Sequence, residues 1–487
     1  MRIAFLNPQG NFDPEDRYWT EHPDFGGQLV YVKEVAIAMA REGIEVDIIT
    51  RRVRDKDWPG FESEIDTYPG IENLKIIRIP FGGDGFVRKE VLWPHLEEYV
   101  EGICDYYHQT DEQPDFVTTH YGDGGLAGAL LAEKLELPFS FTGHSLGAQK
   151  LDKLGANKEN IERLDSIYNF TNRIPAERIS MSHSAFNIVS TNMERFKQYS
   201  HQLYQGAVDV QNDDRFRVIP PGVNTRIFYP GTPDENIKIR INQSLKRDIS
   251  PERQNLPGIV ASSRLDPKKN HLGLIKAFAQ DQELQSKANL SIFVRGMDNP
   301  FEDYDQLKGL EREVMLNILG IINDYNLKGK VSFVNLTSQQ ELADAYRYFA
   351  HDGGIFALTA LYEPFGLAPL EAAACGLPVV VTRNGGPSES FKDESQEYGV
   401  LVDPESEQEI AKGLLRLIGN KENWQRFQTA GIKRIKTRYT WEKTADGYIN
   451  AIKDYLTRDN VKIEKVTNKE MELKELTQLY WGKGDNR

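Results

Sequence analysis

Short apolar runs alternate with longer amphipathic stretches along almost the whole chain of 487 residues. In the first part of the chain, these runs predict strands at residues 3–6, 45–50, 75–79, 116–119 and 139–142. Helical patterns lie between them, such as the one at residues 28–42, whose apolar side chains fall on one face. Apolar strands that alternate with helices are typical of a parallel sheet covered on both faces. The sequence therefore predicts a doubly wound α/β fold.

The alternation starts again after a turn at Pro220, Pro221 and Gly222, because two consecutive prolines cannot donate to a sheet. This second series predicts strands at residues 258–263, 290–295, 330–334, 354–358, 378–382 and 399–402. We therefore expect two Rossmann-like domains that face each other across a cleft at the carboxyl ends of their strands. Helical spacing after residue 439 predicts a C-terminal helix that crosses back to the first domain. The expected domains are residues 1–222 with 439–487, and residues 223–438.

The balance of charges limits the partners of the chain. There are 59 Lys and Arg residues against 73 Asp and Glu residues, which gives a net charge of −14. An acidic surface argues against nucleic-acid binding, although a local basic cluster could still hold a small anionic substrate. The two cysteines, Cys104 and Cys375, cannot build a disulfide framework, which suits a reducing compartment. We see neither a signal peptide nor an apolar run of about 18 residues, so we expect a cytoplasmic protein without a membrane span.

Two segments of the expected first domain lie where a ligand would bind. Gly26 and Gly27 precede the first helical pattern, so a ligand could approach their backbone and an anion could meet the helix N-terminus. A tight turn would explain these glycines equally well. His144 follows the fifth predicted strand, where a histidine can bind a sugar hydroxyl or act as an acid or base. A lone histidine is more often structural, but this position favours a function. His120 and Tyr121 are weaker candidates for the same cleft.

Two basic residues follow the first strand of the second series. Arg264 and Lys269 lie five residues apart on one loop and can converge on a diphosphate. Fixed cations at that position stabilise charge on a departing phosphate without a metal. The alternative is a solvated pair of surface charges, but the position at the carboxyl end of a strand favours the functional interpretation.

Glu363 and Glu371 lie eight residues apart, and the sequence Pro-Phe-Gly follows the first of them. The N–H groups near Gly366 and Leu367 would be free donors for a phosphate at the start of a helix. Glu363 would lie on the preceding loop and accept from the transferred sugar, while Glu371 would lie two turns into the helix and accept from ribose hydroxyls. Either glutamate alone is more often a solvated charge. The spacing together with Pro-Phe-Gly makes the pattern specific.

Metal ligation receives little support from the sequence. The nine histidines form no His-x-His or His-x-x-x-His pair. Residues 55–57 and 303–305 are Asp-x-Asp triplets, but such triplets are common in a chain with 73 carboxylates. We therefore expect no fixed metal ligands.

Together these motifs resemble the retaining, nucleotide-sugar-dependent glycosyltransferases of family 4, which have the GT-B fold. The segment from Glu363 to Glu371 is similar to the E-x7-E motif of that family. Arg264 and Lys269 are similar to its diphosphate-binding pair, and Gly27 to its N-terminal glycine loop. The order and spacing of the motifs agree over nearly the whole chain.

Within that family, residues 7–10, 23–28, 142–147 and 383–387 resemble the sucrose-phosphate synthases, particularly their compact bacterial form. This resemblance implies UDP-glucose as donor, fructose 6-phosphate as acceptor, and sucrose 6-phosphate and UDP as products. The acceptor residues that it implies are Gly26, Gln28, Lys89, Tyr121, Ser145, Lys150 and Arg173. The implied donor residues are Gly27, Arg264, Lys269, Leu336, Glu363, Phe365, Gly366, Leu367, Ala368 and Glu371. The implied catalytic residues are His144, Glu363, Arg264 and Lys269, with His144 near the transferred glucose.

The charges of the first half support a phosphorylated acceptor independently of the resemblance. A sugar phosphate carries close to two negative charges, so an acidic protein must supply local cations to hold it. Lys89, Lys150 and Arg173 all fall near predicted loops of the first half. A site for free fructose would not need them, although each alone could be ordinary surface charge.

The resemblance implies a front-face transfer in a closed cleft, which would exclude water as a competing acceptor. The acceptor hydroxyl would attack from the side that UDP leaves, and a donor phosphate oxygen would take its proton. A double displacement would need a carboxylate beneath the sugar, and the sequence identifies none. We expect UDP-glucose to be a co-substrate and no cofactor to be tightly bound. A divalent metal is expected at most as a stimulant.

Several alternatives remain open. Plant relatives carry further N-terminal and C-terminal regions for which this chain has no room, so a separate sucrose-phosphate phosphatase is expected to act on the product. The absence of a long N-terminal extension disfavours sucrose synthase. Another family-4 enzyme, such as mannosylfructose-phosphate synthase with GDP-mannose, would share the motifs. A nucleotide-sugar 2-epimerase would need acid and base groups at C2 and no acceptor phosphate site. A non-catalytic nucleotide-sugar-binding protein could dispense with His144 and Glu363.

Overall fold

The computed structural model of the protein describes residues 1–18, 27–458, 465–467 and 470–482. Gly26, one of the expected acceptor residues, lies outside the described residues. Tertiary contacts divide the chain into two compact units, Met1–Pro220 with Thr444–Arg487, and Pro221–Lys443. The sequence had placed the divisions after residues 222 and 438.

The first unit is built on an eight-stranded sheet in the order β3-β4-β2-β1-β5-β6-β7-β8. Its strands are β1 (Arg2–Leu6), β2 (Glu45–Arg51), β3 (Ile65–Asp66), β4 (Leu74–Ile79), β5 (Phe116–His120), β6 (Phe139–Thr142), β7 (Phe186–Val189) and β8 (Phe216–Val218). The short strand β3 pairs antiparallel with β4, and the other pairs are parallel. Every residue of β5, β6 and β7 is buried, as expected for strands covered on both faces.

Helices of the first unit cover this sheet. They are α1 (Gly27–Arg41), α2 (Leu96–Thr110), α3 (Tyr121–Leu135), α4 (Gly147–Lys153), α5 (Ile161–Tyr168), α6 (Phe170–His183) and, after the second unit, α17 (Trp441–Leu456) and α18 (Leu473–Trp481). Helix α3 packs closely on α6, because a Cβ at Gly125 would lie 2.1 Å from Oγ of Ser180 and 2.8 Å from the ring of Phe141. A glycine is therefore required at this contact.

The second unit is built on a six-stranded parallel sheet in the order β11-β10-β9-β12-β13-β14. Its strands are β9 (Gly258–Ser262), β10 (Asn289–Val294), β11 (Val331–Asn335), β12 (Ile355–Leu358), β13 (Val379–Thr382) and β14 (Val400–Val402). Its helices are α7 (Glu235–Asp248), α8 (His271–Gln280), α9 (Gln282–Lys287), α10 (Pro300–Asp303), α11 (Gly309–Asp324), α12 (Gln339–His351), α13 (Leu367–Ala374), α14 (Pro387–Ser390), α15 (Glu407–Leu415) and α16 (Lys421–Arg438). Two apolar clusters lie in this unit.

Short helical turns connect several of these elements. The 3-10 turns are Lys89–Val91, Trp93–His95, Gln202–Tyr204, Asp213–Arg215, Pro251–Arg253, Pro267–Lys269 and Tyr304–Gln306, and Glu194–Gln198 is a π-helical turn. The turns at Lys89–Val91 and Pro267–Lys269 carry predicted site residues.

The C-terminal helix returns to the first unit, as the sequence predicted. Tyr448 of α17 is fully buried, and its hydroxyl lies 3.0 Å from that of Tyr31 and 3.2 Å from that of Thr142. The Thr444 hydroxyl donates to the carbonyl of Pro220 at 2.8 Å. The two sheets, parallel except for the pair β3 and β4, and this return confirm the predicted α/β class and the crossing helix. Within the part of the chain that the structure describes, no helix is long and apolar enough to cross a membrane.

Candidate active site

A cavity of about 290 Å³ opens in the first unit beside the carboxyl ends of β5 and β6. Five of the expected acceptor residues line it, namely Lys89, Tyr121, Ser145, Lys150 and Arg173. Four separate segments supply them: the turn after β4, the start of α3, the loop and helix after β6, and α6. The other lining residues are Gln9, Glu90, Trp93, Gly122, Asp123, Lys153 and Tyr168. The chain thus gathers three lysines and an arginine at one cavity.

Arg173 is held in place by a buried carboxylate. Its Nε donates to Glu177 at 2.8 Å, and its guanidinium also donates to the carbonyl of Ser145. Burial lowers the pKa of Arg173, but the attraction and hydrogen bond of Glu177 outweigh this and leave its pKa above the ordinary value. Glu177 is fully buried and also accepts from the Gly147 N–H at 2.9 Å and from the Tyr204 hydroxyl. The Arg173 guanidinium is therefore a fixed positive charge in the wall of the cavity.

Lys150 has an aromatic partner in the same wall. Its ammonium lies 3.8 Å from the ring centre of Tyr168, a distance at which cation–π attraction operates. Lys153, one helical turn further along α4, lines the same cavity because residues three apart share a face. Sequence reasoning did not identify Lys153 or Tyr168, although the spacing of Lys150 and Lys153 was a usable signal.

Asp123 is a third residue that sequence reasoning missed. It lines the cavity at the start of α3, is 5 % exposed, and accepts from the Gly124 N–H at 2.9 Å. Burial raises the pKa of its carboxyl to about 6, although nearby Lys89 and Arg173 act in the opposite direction. A carboxyl with that pKa can accept from or donate to a sugar hydroxyl near neutral pH. Its position three residues after β5 was the available signal.

His144 lies at the end of β6 in a left-handed backbone conformation, with φ of 53°. Its Nε2 is 2.8 Å from Nδ1 of His120, and its ring makes a T-shaped contact with the Tyr31 ring at 4.9 Å between ring centres. Burial lowers the pKa of His144 to about 3, and burial together with the neighbouring His144 lowers the pKa of His120 well below its ordinary value. Both imidazoles are therefore neutral at pH 7. His144 is suited to hydrogen bonding with a sugar and is unsuited to carrying a positive charge.

The two remaining expected residues of the first unit lie elsewhere. Gln28 is buried, and its amide donates to the side chain of Asn7, so the structure does not bring it to the cavity. Gly27 is the first residue of α1, and a Cβ there would meet no atom within 4 Å. The described residues therefore leave room for a ligand beside the backbone of Gly27.

In the second unit, Lys269 and Glu363 form an ion pair. The Lys269 ammonium donates to Glu363 at 2.6 Å, and the carboxylate is 10 % exposed. Two contacts join the loops that carry them: the Leu361 N–H donates to the carbonyl of Lys268 at 2.9 Å, and the Asn270 amide to that of Thr359 at 3.0 Å. The ends of β9 and β12 are thereby fixed together.

The loop around Glu363 packs directly on a pair of glycines. The Glu363 N–H donates to the carbonyl of Asn384 at 3.0 Å, and the Gly386 N–H returns a bond to Glu363 at 2.9 Å. Gly385 has φ of +105°, and a Cβ there would lie 1.9 Å from the Glu363 carbonyl oxygen. Only glycine fits at this position, which explains the Asn-Gly-Gly segment.

Helix α13 begins directly after this loop. Gly366, at φ of 91°, precedes Leu367, and no side chain caps the first turn. The N–H groups of that turn are therefore open to an anion. Arg264 is exposed, and the described residues give its side chain no ion pair. The expected donor residues Leu336, Phe365, Leu367 and Ala368 pack in one apolar cluster of this unit.

Glu371 is the fifth residue of α13, so it lies about one turn into the helix rather than the two turns that we expected. The helix starts at Leu367, because Gly366 and the tight loop before it cannot continue a right-handed turn. Burial raises the pKa of the Glu371 carboxyl to about 7. Among the described residues, no group of three His, Cys, Asp or Glu side chains could hold a metal ion.

Two family models match the chain. Residues 1–249 match the first GT-B domain of sucrose synthase, and residues 242–434 match the glycosyl transferases group 1. These two matches and the two α/β units identify the chain as a GT-B glycosyltransferase. A probable sucrose-phosphate synthase of Thermosipho melanesiensis is 44 % identical over 473 residues, which cover 97 % of this chain and 100 % of that protein. The chain belongs to the sucrose-phosphate synthase family.

Other relatives are longer or more distant. The sucrose-phosphate synthase of Spinacia oleracea is 33 % identical over 93 % of this chain, and the match spans 47 % of the plant protein. The chain thus spans about half the length of the plant relatives that it matches. The structure of a sucrose-phosphate synthase from Thermosynechococcus elongatus has a TM-score of 0.65 at 23 % identity, covering 94 % of this chain and 99 % of that one. That of Anabaena HepE in complex with UDP-glucose has a TM-score of 0.56 at 14 % identity, covering 93 % and 100 %. These structural likenesses concern the fold.

Proposed function

We propose that this protein transfers glucose from UDP-glucose to fructose 6-phosphate, with retention of configuration, and releases UDP and sucrose 6-phosphate. The observation that carries this proposal is the convergence of Lys89, Lys150 and Arg173 on one cavity. A neutral sugar has no need of such cations, whereas the phosphate of a sugar phosphate binds them through charge-assisted hydrogen bonds. Membership of the sucrose-phosphate synthase family supports the same acceptor.

The second unit is proposed to hold the donor. Arg264, Lys269 and the open first turn of α13 supply positive charge and N–H donors, which a diphosphate requires. Glu371 would accept hydrogen bonds from the ribose hydroxyls, and Glu363 from the glucose. HepE, which shares the fold, was solved with UDP-glucose, which supports this donor.

The proposed reaction breaks the bond between C1 of glucose and the diphosphate oxygen and forms a bond from C1 to the anomeric oxygen of fructose 6-phosphate. The proton of the acceptor hydroxyl passes to the phosphate oxygen that leaves with UDP. Arg264 and Lys269 stabilise the charge that develops on that phosphate. His144, neutral at pH 7, holds a glucose hydroxyl by a hydrogen bond and does not carry the proton.

The test is release of UDP from UDP-glucose with either fructose 6-phosphate or free fructose, with the product identified by mass and by its anomeric configuration. Sucrose 6-phosphate formed from the phosphorylated acceptor, with fructose much poorer, is the expected result. Parallel reactions with GDP-mannose or ADP-glucose in place of UDP-glucose test which donor the protein prefers. A faster reaction with either of these would overturn the donor assignment, and equal rates with fructose and its 6-phosphate would overturn the acceptor assignment. A change at C2 of the donor sugar, without any acceptor, would indicate an epimerase.

A further inference from the structure

Helix α4 carries two of the cations at the acceptor cavity, and a C-terminal helix packs against it. Lys150 and Lys153 lie on the face of α4 that lines the cavity. Leu151 of α4 belongs to an apolar cluster that also contains Leu476 and Tyr480 of α18. Leu476 is fully buried. The support for α4 therefore comes from a helix more than 300 residues away in the chain.

One polar contact links the two helices directly. The Tyr480 hydroxyl donates to Oδ1 of Asp152 at 2.6 Å, and Asp152 stands between the two cavity lysines in sequence. The other oxygen of Asp152 lies 3.4 Å from Nε2 of His201. His201 also stacks on the Tyr480 ring, with the ring centres 6.1 Å apart. The carboxylate is thus held from two sides.

The position of α18 is fixed by further contacts. The side chain of Gln202 donates to the carbonyl of Tyr480, and the Met471 N–H donates to the carbonyl of Thr171 at 3.1 Å. Thr171 lies in α6, the helix that also carries Arg173. The same C-terminal segment therefore contacts both helices that supply cations to the cavity.

We propose that Tyr480 is a positioning residue for the acceptor: through Asp152 it holds α4, and with it Lys150 and Lys153, against the phosphate of the bound sugar. Helix α4 has only seven residues, so an isolated helix of that length would be unstable without tertiary contacts. This inference rests on the proposed function, because it assigns the cavity to a phosphorylated acceptor.

The test compares Tyr480→Phe with Tyr455→Phe in the full chain. Both variants remove one hydroxyl from a C-terminal helix without a change of charge, and the Tyr455 ring packs on Phe116 and Phe186, away from the cavity residues. Tyr480→Phe is expected to raise the KM for fructose 6-phosphate at least threefold and to leave the KM for UDP-glucose unchanged. Tyr455→Phe is expected to leave both unchanged. Equal effects of the two variants on the acceptor KM, or an equal rise of both KM values in Tyr480→Phe, would overturn the proposal.

Asp152→Ala is the second variant, to be used should Tyr480→Phe fail to fold. Loss of a negative charge beside the lysines would by itself strengthen phosphate binding, so a rise in the acceptor KM would indicate lost positioning, and a fall would overturn the proposal. Hydrogen exchange of the α4 amides without ligand is the independent readout, and it is expected to be faster in Tyr480→Phe. If the unmodified protein forms no sucrose 6-phosphate, the proposed function fails. Affinity for inorganic phosphate then replaces the acceptor KM, and an unchanged affinity in Tyr480→Phe would overturn the positioning role as well.

Discussion

At the scale of single residues, the Lys269–Glu363 pair carries much of the proposed donor chemistry. The two charges satisfy each other at 2.6 Å in the protein without ligand. A diphosphate would attract Lys269, and Glu363 would then be available to a sugar hydroxyl. An ion pair of this kind holds both side chains in a fixed orientation before the donor binds.

Glu363→Gln is expected to lower kcat strongly, by about 100-fold, because loss of one preorganised group that stabilises the charge developing in the transition state typically costs about 10²–10³ in kcat. Glu394→Gln, on an exposed part of the same unit, is the matched control and should retain the normal rate. Initial rates of UDP release at saturating substrates make the comparison. A normal kcat in Glu363→Gln would remove this residue from the catalytic site.

Glu371 predicts a pH dependence of donor binding. Its pKa is raised to about 7, and hydrogen bonds from ribose hydroxyls stabilise the ionised form, so UDP-glucose binding should lower that pKa. Donor affinity is therefore greatest above pH 7 and falls as the pH drops through 7, by up to about tenfold between pH 8 and pH 6. Titration of UDP-glucose binding over that range measures the effect. Glu371→Gln should bind more weakly and without this pH dependence, and an identical pH profile in the variant would contradict the assignment.

At the scale of elements, the glycine pair after β13 sets the position of the Glu363 loop. Gly385→Ala is expected to destabilise the second unit and to lower kcat, because the new methyl group would collide with the Glu363 carbonyl at 1.9 Å. Gly353→Ala is the control: its φ is +72° but no atom lies within 4 Å, so it should cost only the left-handed backbone penalty of about 1–2 kcal/mol. Urea unfolding compares the two. Equal losses of stability in Gly385→Ala and Gly353→Ala would show that the Glu363 loop accommodates the new methyl group at no further energetic cost.

Sequence patterns predicted most of the strands, including the three-residue β14, and missed β3, β7 and β8. Most strands of both sheets are apolar runs between helical patterns, so their positions followed from burial alone. Strand β8 has three residues, and α18 lies in a strongly charged tail whose apolar side chains are few. Such elements depend on tertiary partners that a local pattern does not contain.

The charged residues of the candidate site could be predicted from the sequence, whereas the residues whose roles depend on tertiary contacts could not. Lys150 and Arg173 carry charges that a phosphate requires, so chemistry and resemblance both pointed to them. The role of Asp123 depends on its burial at a cavity, and that of Tyr480 depends on a contact with Asp152 from the far end of the chain. Gln28 is the opposite case. The resemblance implied that it binds the acceptor, but its side chain points inward and donates to the side chain of Asn7.

At the scale of the whole molecule, the chain leaves the first unit at Pro220 and returns to it at Thr444. A chain that ends at residue 443, the last residue of the second unit, is expected to lose stability in the first unit, because buried Ala445, Tyr448 and Ile452 would be missing. The second unit should keep its own transition. Hydrogen exchange, recorded separately for each unit during thermal unfolding, measures the stability of both units. Unchanged protection of β1, β5 and β6 in the shortened chain would show that the returning helix adds no stability.

The proposed function depends on recognition of the acceptor through its phosphate, in the cavity of the first unit. The most direct measurement is the ratio of kcat/KM for fructose 6-phosphate to that for fructose, in the native protein, in Lys150→Ala, and in the control Lys197→Ala. Lys197 is exposed in the same unit and does not line the cavity. Loss of one charge-assisted contact, worth about 1.5–3 kcal/mol, should lower the ratio about 10- to 100-fold in Lys150→Ala, with no change in the control. A ratio that is the same in all three proteins would show that this cavity does not recognise the phosphate of the acceptor.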